Sequence, residues 1–101
     1  MERRLELHEI LCGFLGSRNV YYQPPESLKM QYDAIRYSLN TVNSRFANDG
    51  RYKNMKRYEL LVISRKPDPK VVDKILGMAY SSLDRVYVSD NLYHYSITLY
   101  F

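Results

Sequence analysis

Alternation of apolar and polar residues predicts a β-strand at the end of the chain. From Asp90 to Phe101, every second side chain falls on the same side of an extended chain. One side carries an apolar and aromatic row that belongs in a core, namely Tyr93, Tyr95, Ile97, Leu99 and Phe101. The other side is mixed, and its members are Leu92, His94, Ser96, Thr98 and Tyr100. Because chain ends normally fray, such an apolar terminus predicts that Phe101 is held in a sheet or against another subunit.

Two stretches have the apolar spacing of an amphipathic helix. The first runs from about Glu2 to Leu15, with Gly16 as its predicted C-terminal stop. Its polar face carries both signs of charge, which favours core packing over a membrane-surface helix. The second runs from about Pro69 to Ala79, with Asp68 as the predicted N-cap and proline at the first helical position.

Four further segments have strand patterns. Val20–Gln23 is short and is ended by two prolines. Tyr32–Val42 alternates and is expected to be antiparallel to its neighbours. Met55–Ser64 contains a run that is apolar on both faces, which predicts the central strand. Ser81–Ser89 is expected to form a hairpin with the final strand through a turn at Asp90-Asn91.

This order of elements predicts an α+β fold: an antiparallel or mixed β-sheet of about five strands, with two helices packed on one face and a C-terminal β-hairpin. At 101 residues, the chain from 1 to 101 is expected to be a single domain. Its one cysteine, Cys12, lies in the first helical pattern and is expected to be a small core residue. The lack of a possible internal disulfide fits a reducing cytoplasm. We expect neither a signal peptide nor a membrane span, because charges interrupt the first residues and no apolar run approaches the roughly 20 residues that a span needs.

The most polar segment, residues 43–54, is predicted to be a basic loop or arm, with a turn signal at Asn48-Asp49-Gly50. Basic and aromatic residues are interleaved in and just after it, namely Arg45, Phe46, Arg51, Tyr52, Lys53, Lys56 and Arg57. Such a segment is most simply a solvated hairpin tip. Two other interpretations are that it binds the phosphates and bases of a nucleic acid and that it inserts into a partner subunit.

Composition points to association more than to catalysis. The formal net charge of +4 is compatible with contact to nucleic acid or to an acidic protein surface. Eleven tyrosines and no tryptophan are present, and tyrosine can lie half-buried in an interface while its hydroxyl stays satisfied. His8 and His94 stand without any zinc-ligand spacing, and the four glycines form no phosphate-binding loop. We therefore predict no enzyme activity, no metal and no cofactor.

Three blocks of the sequence resemble small virion proteins of tailed bacteriophages, described as tail terminator, tail completion or minor capsid proteins. They are Ile35–Leu39 with Arg45–Asp49, then Arg57–Asp68, and finally Ser82–Arg85 with the ending Asp90–Tyr95 and Thr98–Phe101. The resemblance covers about two thirds of the chain. It implies a structural subunit at the head-tail junction of a virion, assembled in the host cytoplasm.

The resemblance also implies partners. The subunit would form a homo-oligomeric ring, with a hexamer expected, that caps the tail tube protein and docks the head connector or neck proteins. The candidate subunit or tube interface is the mixed face of the last strand with the chain end: His94, Ser96, Thr98, Tyr100 and Phe101. The basic arm would face either the lumen through which DNA passes transiently or the tube. A neck or head-completion protein and a small nucleic-acid-binding module remain as alternatives.

Overall fold

The computed structural model describes residues 3–25, 29–39 and 56–101. These residues form, in chain order, α1 (Arg3–Leu15), β1 (Val20–Tyr22), β2 (Ala34–Leu39), β3 (Arg57–Ser64), α2 (Lys70–Leu76), β4 (Ser81–Ser89) and β5 (Leu92–Tyr100). The strands make one five-stranded mixed sheet in the order β1-β2-β3-β5-β4. The predicted α+β class, with its C-terminal hairpin, is therefore confirmed. The basic arm falls outside the described residues.

β3 is the central strand, as its two apolar faces predicted. Tyr58, Leu60 and Val62 are buried on one side of the sheet, and Ile63 is buried on the other. β2 and β5 pair with β3 in antiparallel registers. The expectation that β2 is antiparallel to both neighbours is wrong, because β1 pairs with it in parallel. Residues 23–33 separate those two strands and are long enough to return the chain to the same end of the sheet.

Both helices pack on one face of the sheet, which we call the helix side. A single hydrophobic cluster joins helix residues Leu7, Leu11 and Ile75 to the strands. Its buried strand members are Val20, Ile35, Tyr37, Tyr58, Leu60, Val62, Tyr95, Ile97 and Leu99. The row that alternation assigned to the core of β5 thus lies in it. Cys12 also belongs to this cluster, and burial raises the pKa of its thiol, which fits the predicted structural role.

The helix ends agree with the sequence at α1 and differ at α2. Gly16 has φ of +80° and its N–H donates to the Cys12 carbonyl at 2.9 Å, so it ends α1 as predicted. The N-cap of α2 is Pro69, not Asp68. Asp68 instead has φ of +53°, and its backbone N–H donates to the Tyr95 hydroxyl at 2.7 Å, which holds the loop to β5. The helix ends at Leu76, earlier than the predicted Ala79.

The C-terminal hairpin turns tightly and its last residue is paired. Asp90 and Asn91 have φ of 53° and 63°, the positive values that a type I′ turn needs at both central positions. Beyond β5, Phe101 exchanges two backbone hydrogen bonds with Lys56, of 2.9 and 3.0 Å. Its ring packs against the hydrophobic cluster. The prediction that Phe101 is held in the sheet is confirmed.

Candidate functional site

The sheet face opposite the helices, which we call the open face, carries most of the predicted interface. Strand register places Arg36 of β2, Leu61 of β3 and Ser96 of β5 side by side there, next to Arg85 of β4. No described helix covers this face. Around its middle lies a shallow depression of about 250 Å³, whose open-face lining is Arg36, Ser38, Glu59, Leu61, Tyr87 and Ser96.

Four of the predicted interface residues share this open face: His94, Ser96, Thr98 and Tyr100. The His94 ring stacks on Tyr87 of β4, with centroids 4.8 Å apart and planes 8° apart. Its Nδ1 lies 3.0 Å from the Leu92 carbonyl oxygen. The Thr98 hydroxyl donates to Asp84 Oδ2 at 2.5 Å. Because these contacts fix the side chains, the face is a pre-ordered surface of alternating aromatic, hydroxyl and charged groups.

The other predicted interface residue, Phe101, does not join that surface. Its ring lies on the helix side against the core cluster, since side chains alternate along the strand. Lys56 is exposed at the neighbouring strand end, and Arg57 opens β3 opposite Tyr100. The Arg57 Nε is buried with no hydrogen-bond partner among the described residues. The remaining arm residues, Arg45, Phe46, Arg51, Tyr52 and Lys53, lie outside the described part of the chain.

Sequence reasoning missed the stack that Tyr87 and Arg85 form with His94. The Arg85 guanidinium carbon lies 4.7 Å from the Tyr87 ring centroid, so cation, phenol and imidazole are layered along the outer strands. A signal was present, because the Asp90-Asn91 turn pairs Tyr87 with His94 in the hairpin register. That signal lies in the alignment of the two strands and in neither strand alone.

A second polar cluster lies under α1 and involves His8. Its Nδ1 is 2.7 Å from the hydroxyl of Tyr37, a side chain only 1% exposed, and Arg4 also donates to that hydroxyl at 3.5 Å. Burial lowers the pKa of His8, and the nearby Arg18 and Arg4 cations lower it further, against Glu9, which raises it. Burial likewise raises the pKa of Tyr37. The cluster satisfies a buried hydroxyl between helix and sheet.

A third cluster fixes the loop after β3. Asp33 accepts hydrogen bonds from the Ser64 hydroxyl at 2.9 Å and from the Arg65 backbone N–H at 3.0 Å. Ser64 Oγ in turn accepts from the Lys66 N–H at 3.1 Å. Asp33 therefore holds the Arg65 backbone through Oδ1 and the Ser64 side chain through Oδ2, and the fully buried Ser64 is satisfied within the fold. The arrangement holds the loop after β3 in place, which is a structural role.

The described residues include neither a metal-binding group nor a membrane-spanning helix. No group of three or more His, Cys, Asp or Glu side chains within residues 3–25, 29–39 and 56–101 is placed to hold a metal ion. In the same part of the chain, no helix has the length and apolar character needed to cross a membrane.

The three clusters differ in what they leave available. The two on the helix side use their polar groups inside the fold, whereas the open face also carries exposed charged side chains such as Arg36 and Arg85. The chain as a whole matches no protein-family model, no curated protein and no solved structure. The open face is the candidate site that the geometry offers.

Proposed function

We propose that the protein is a structural virion protein of a tailed bacteriophage, a tail terminator that forms a ring on the tail tube and joins the tail to the head. The phage assignment rests on the resemblance of the strand β3 and of the C-terminal hairpin described above. The observation that carries an assembly role is the open face, a broad sheet surface with ordered side chains and no helix over it in the described residues.

The composition of the open face suits a contact with protein. Leu61 is half-buried at its centre, while Arg36, Glu59 and Arg85 are exposed around it. An apolar centre with a charged surround is the usual anatomy of a protein-protein interface. The hydroxyls of Ser96 and Tyr100 and the Tyr87–His94 stack add donors and flat aromatic area.

In a ring, each subunit uses two different surfaces, because head-to-tail contacts are heterologous. In our proposal the open face provides one of them, toward the next subunit or the tube protein. The basic arm, residues 43–54, contacts the tube or the DNA that passes through the ring in this proposal. The partners are thus the chain itself, the tail tube protein and the head connector or neck proteins.

The proposal is tested by measuring molar mass by light scattering, for the protein alone and with tail tube protein added. We expect a hexamer, formed alone or only with tube protein, and we expect Ser96→Arg on the open face to abolish it. Ala79→Arg adds the same charge at an exposed position outside the open face, between α2 and β4, and is the matched control. A mass that does not respond to tube protein and shows no ring contradicts the proposal. Binding to head connector protein alone replaces it with the neck alternative.

A second candidate function, binding of single-stranded nucleic acid, is favoured by one observation. The layered Arg85, Tyr87 and His94 place a cation and flat rings on the open face, and sheet surfaces with aromatic residues can stack bases. Binding of a fluorescent oligonucleotide, titrated at several salt concentrations, separates the two functions. Affinity that falls steeply with salt and is lost in Tyr87→Ala supports the nucleic-acid function. A ring that forms without nucleic acid supports the terminator.

A further inference from the structure

β4 is a long edge strand that is interrupted by a β-bulge at Asp84. It lies at one end of the sheet, is nine residues long and pairs with β5 alone in the described sheet. Its helix-side residues Leu83, Val86 and Val88 are 43%, 53% and 61% exposed. Ser81–Ser89 contains neither lysine nor proline, the residues that most often block an edge. An exposed apolar edge of this length is ready to pair with another strand.

The order in which β4 side chains point to the helix side or to the open face is the same in either direction from the middle of the strand. A register shift between Leu83 and Arg85 inserts Asp84 as an extra residue, so the alternation of faces changes phase there. Leu83 and Val86 consequently both lie on the helix side, opposite Ile97 and Tyr95 of β5. Further out, Ser82 and Tyr87 both lie on the open face, opposite Thr98 and His94.

The centre of this pattern is a pair of opposite charges. Asp84 bonds Thr98 and Arg85 lies over Tyr87, so both side chains are directed to the open face. Asp84 accepts the Thr98 hydrogen bond through Oδ2, and Arg85 is exposed. A strand whose centre is Asp-Arg is complementary to itself when the second strand runs in the opposite direction.

We propose that β4 pairs with β4 of a second copy of this chain, antiparallel, around a twofold axis between Asp84 and Arg85. This register sets Asp84 of each copy opposite Arg85 of the other, on the open face. It also sets Leu83 opposite Val86 twice, on the helix side. A twofold interface requires each residue to meet its complement reciprocally, and this pattern provides both the charge and the apolar complement.

The two sheets then continue as one, with ten strands. Because the twofold axis is perpendicular to the sheet, both open faces lie on the same side and stay accessible. The pairing is a property of the isolated chain and does not rest on the proposed function. A dimer that joins through its edges also keeps the exposed β4 from pairing with unrelated strands before assembly.

The experiment measures molar mass against concentration by sedimentation equilibrium of the purified chain, without tube protein. We expect twice the monomer mass of 12.0 kDa. Asp84→Arg and Arg85→Asp each place like charges opposite each other, and each should weaken the dimer by tenfold or more. The double variant Asp84→Arg with Arg85→Asp restores opposite charges across the axis and should restore the dimer. Urea unfolding of each variant checks that the monomer remains folded.

A second variant tests the backbone pairing without the charges. Val86→Lys places an ammonium at an already exposed position of the edge, and we expect a folded monomer. Leu5→Lys, at a residue 45% exposed on α1, is the matched control and should remain a dimer. The proposal is overturned by a wild-type monomer, by a dimer that survives Val86→Lys, or by a double variant no better than the single ones. A ring that is unaffected by all of these variants overturns the pairing while leaving the proposed function standing.

Discussion

The two strands of the C-terminal hairpin carry similar apolar rows on the helix side, yet only one row is buried. On β5, Tyr95, Ile97 and Leu99 are 8%, 0% and 0% exposed. On β4, Val86 and Val88 are more than half exposed. Both rows face the helix side, so local pattern does not explain the difference. The difference arises because the helices pack in one cluster with the β5 row and leave Val86 and Val88 of β4 exposed.

This contrast separates residues that hold the fold from residues that are available to partners. A buried apolar side chain stabilises the folded chain by about 1.5–3 kcal/mol relative to an exposed one. The β5 row receives that stabilisation within one subunit, whereas the β4 row can receive it only from another molecule. The hairpin thus places a structural strand and an associating strand next to each other.

Truncation of one residue in each row should show the largest effect. We expect Ile97→Ala to lower the free energy of unfolding by about 2–5 kcal/mol, because it removes fully buried carbon and leaves a cavity. Val86→Ala on the neighbouring strand should change it by less than about 0.5 kcal/mol in the monomer. Urea unfolding at low protein concentration measures both. Equal losses at the two positions would mean that β4 is as well covered as β5.

Much of the fold could be predicted from sequence because its elements are strongly patterned. The alternation in β5, the apolar run in β3 and the Asp90-Asn91 turn each have one physical interpretation. The parallel pairing of β1 could not be predicted, since strand direction depends on the path of residues 23–33 and not on three residues of β1. The N-cap of α2 was also wrong, because the tertiary hydrogen bond from Asp68 to Tyr95 decides the conformation there.

The candidate site was predictable only in part. Alternation was enough to place His94, Ser96, Thr98 and Tyr100 on one face. Exposure of β4 depends on how far the helices extend across the sheet, which no local pattern gives. The phase change at Asp84 also has no sequence signature, although it decides which β4 residues share a face.

A smaller effect compares a tyrosine on each face. Tyr37→Phe removes a buried hydroxyl that lies 2.7 Å from His8 Nδ1, so we expect a loss of about 1 kcal/mol in the free energy of unfolding. Tyr87→Phe keeps the stacked ring on the open face and should cost less than about 0.5 kcal/mol. Thermal and urea unfolding provide the measurement. A larger loss for Tyr87→Phe would show that the open face contributes as much to the free energy of unfolding as the helix side does.

The smallest expected effect is a pH dependence of stability that originates at His8, on the helix side of the sheet. Burial, with Arg18 and Arg4 adding to it, lowers the pKa of His8 in the folded chain below the ordinary 6.5, so the unfolded chain takes up the proton first as the pH falls. The contribution of His8 to stability is therefore complete above about pH 6.5 and decreases as the pH falls below it. We expect the free energy of unfolding to fall between about pH 7.5 and 5.5, with a weaker fall in His8→Gln, which has no titrating group at this position. Urea unfolding of both proteins across this range gives the difference between the two curves, which cancels the titration of shared carboxylates. Parallel curves would show that the contact with Tyr37 tolerates a charged imidazole. The polar groups on the helix side would then be held no more tightly than those on the open face.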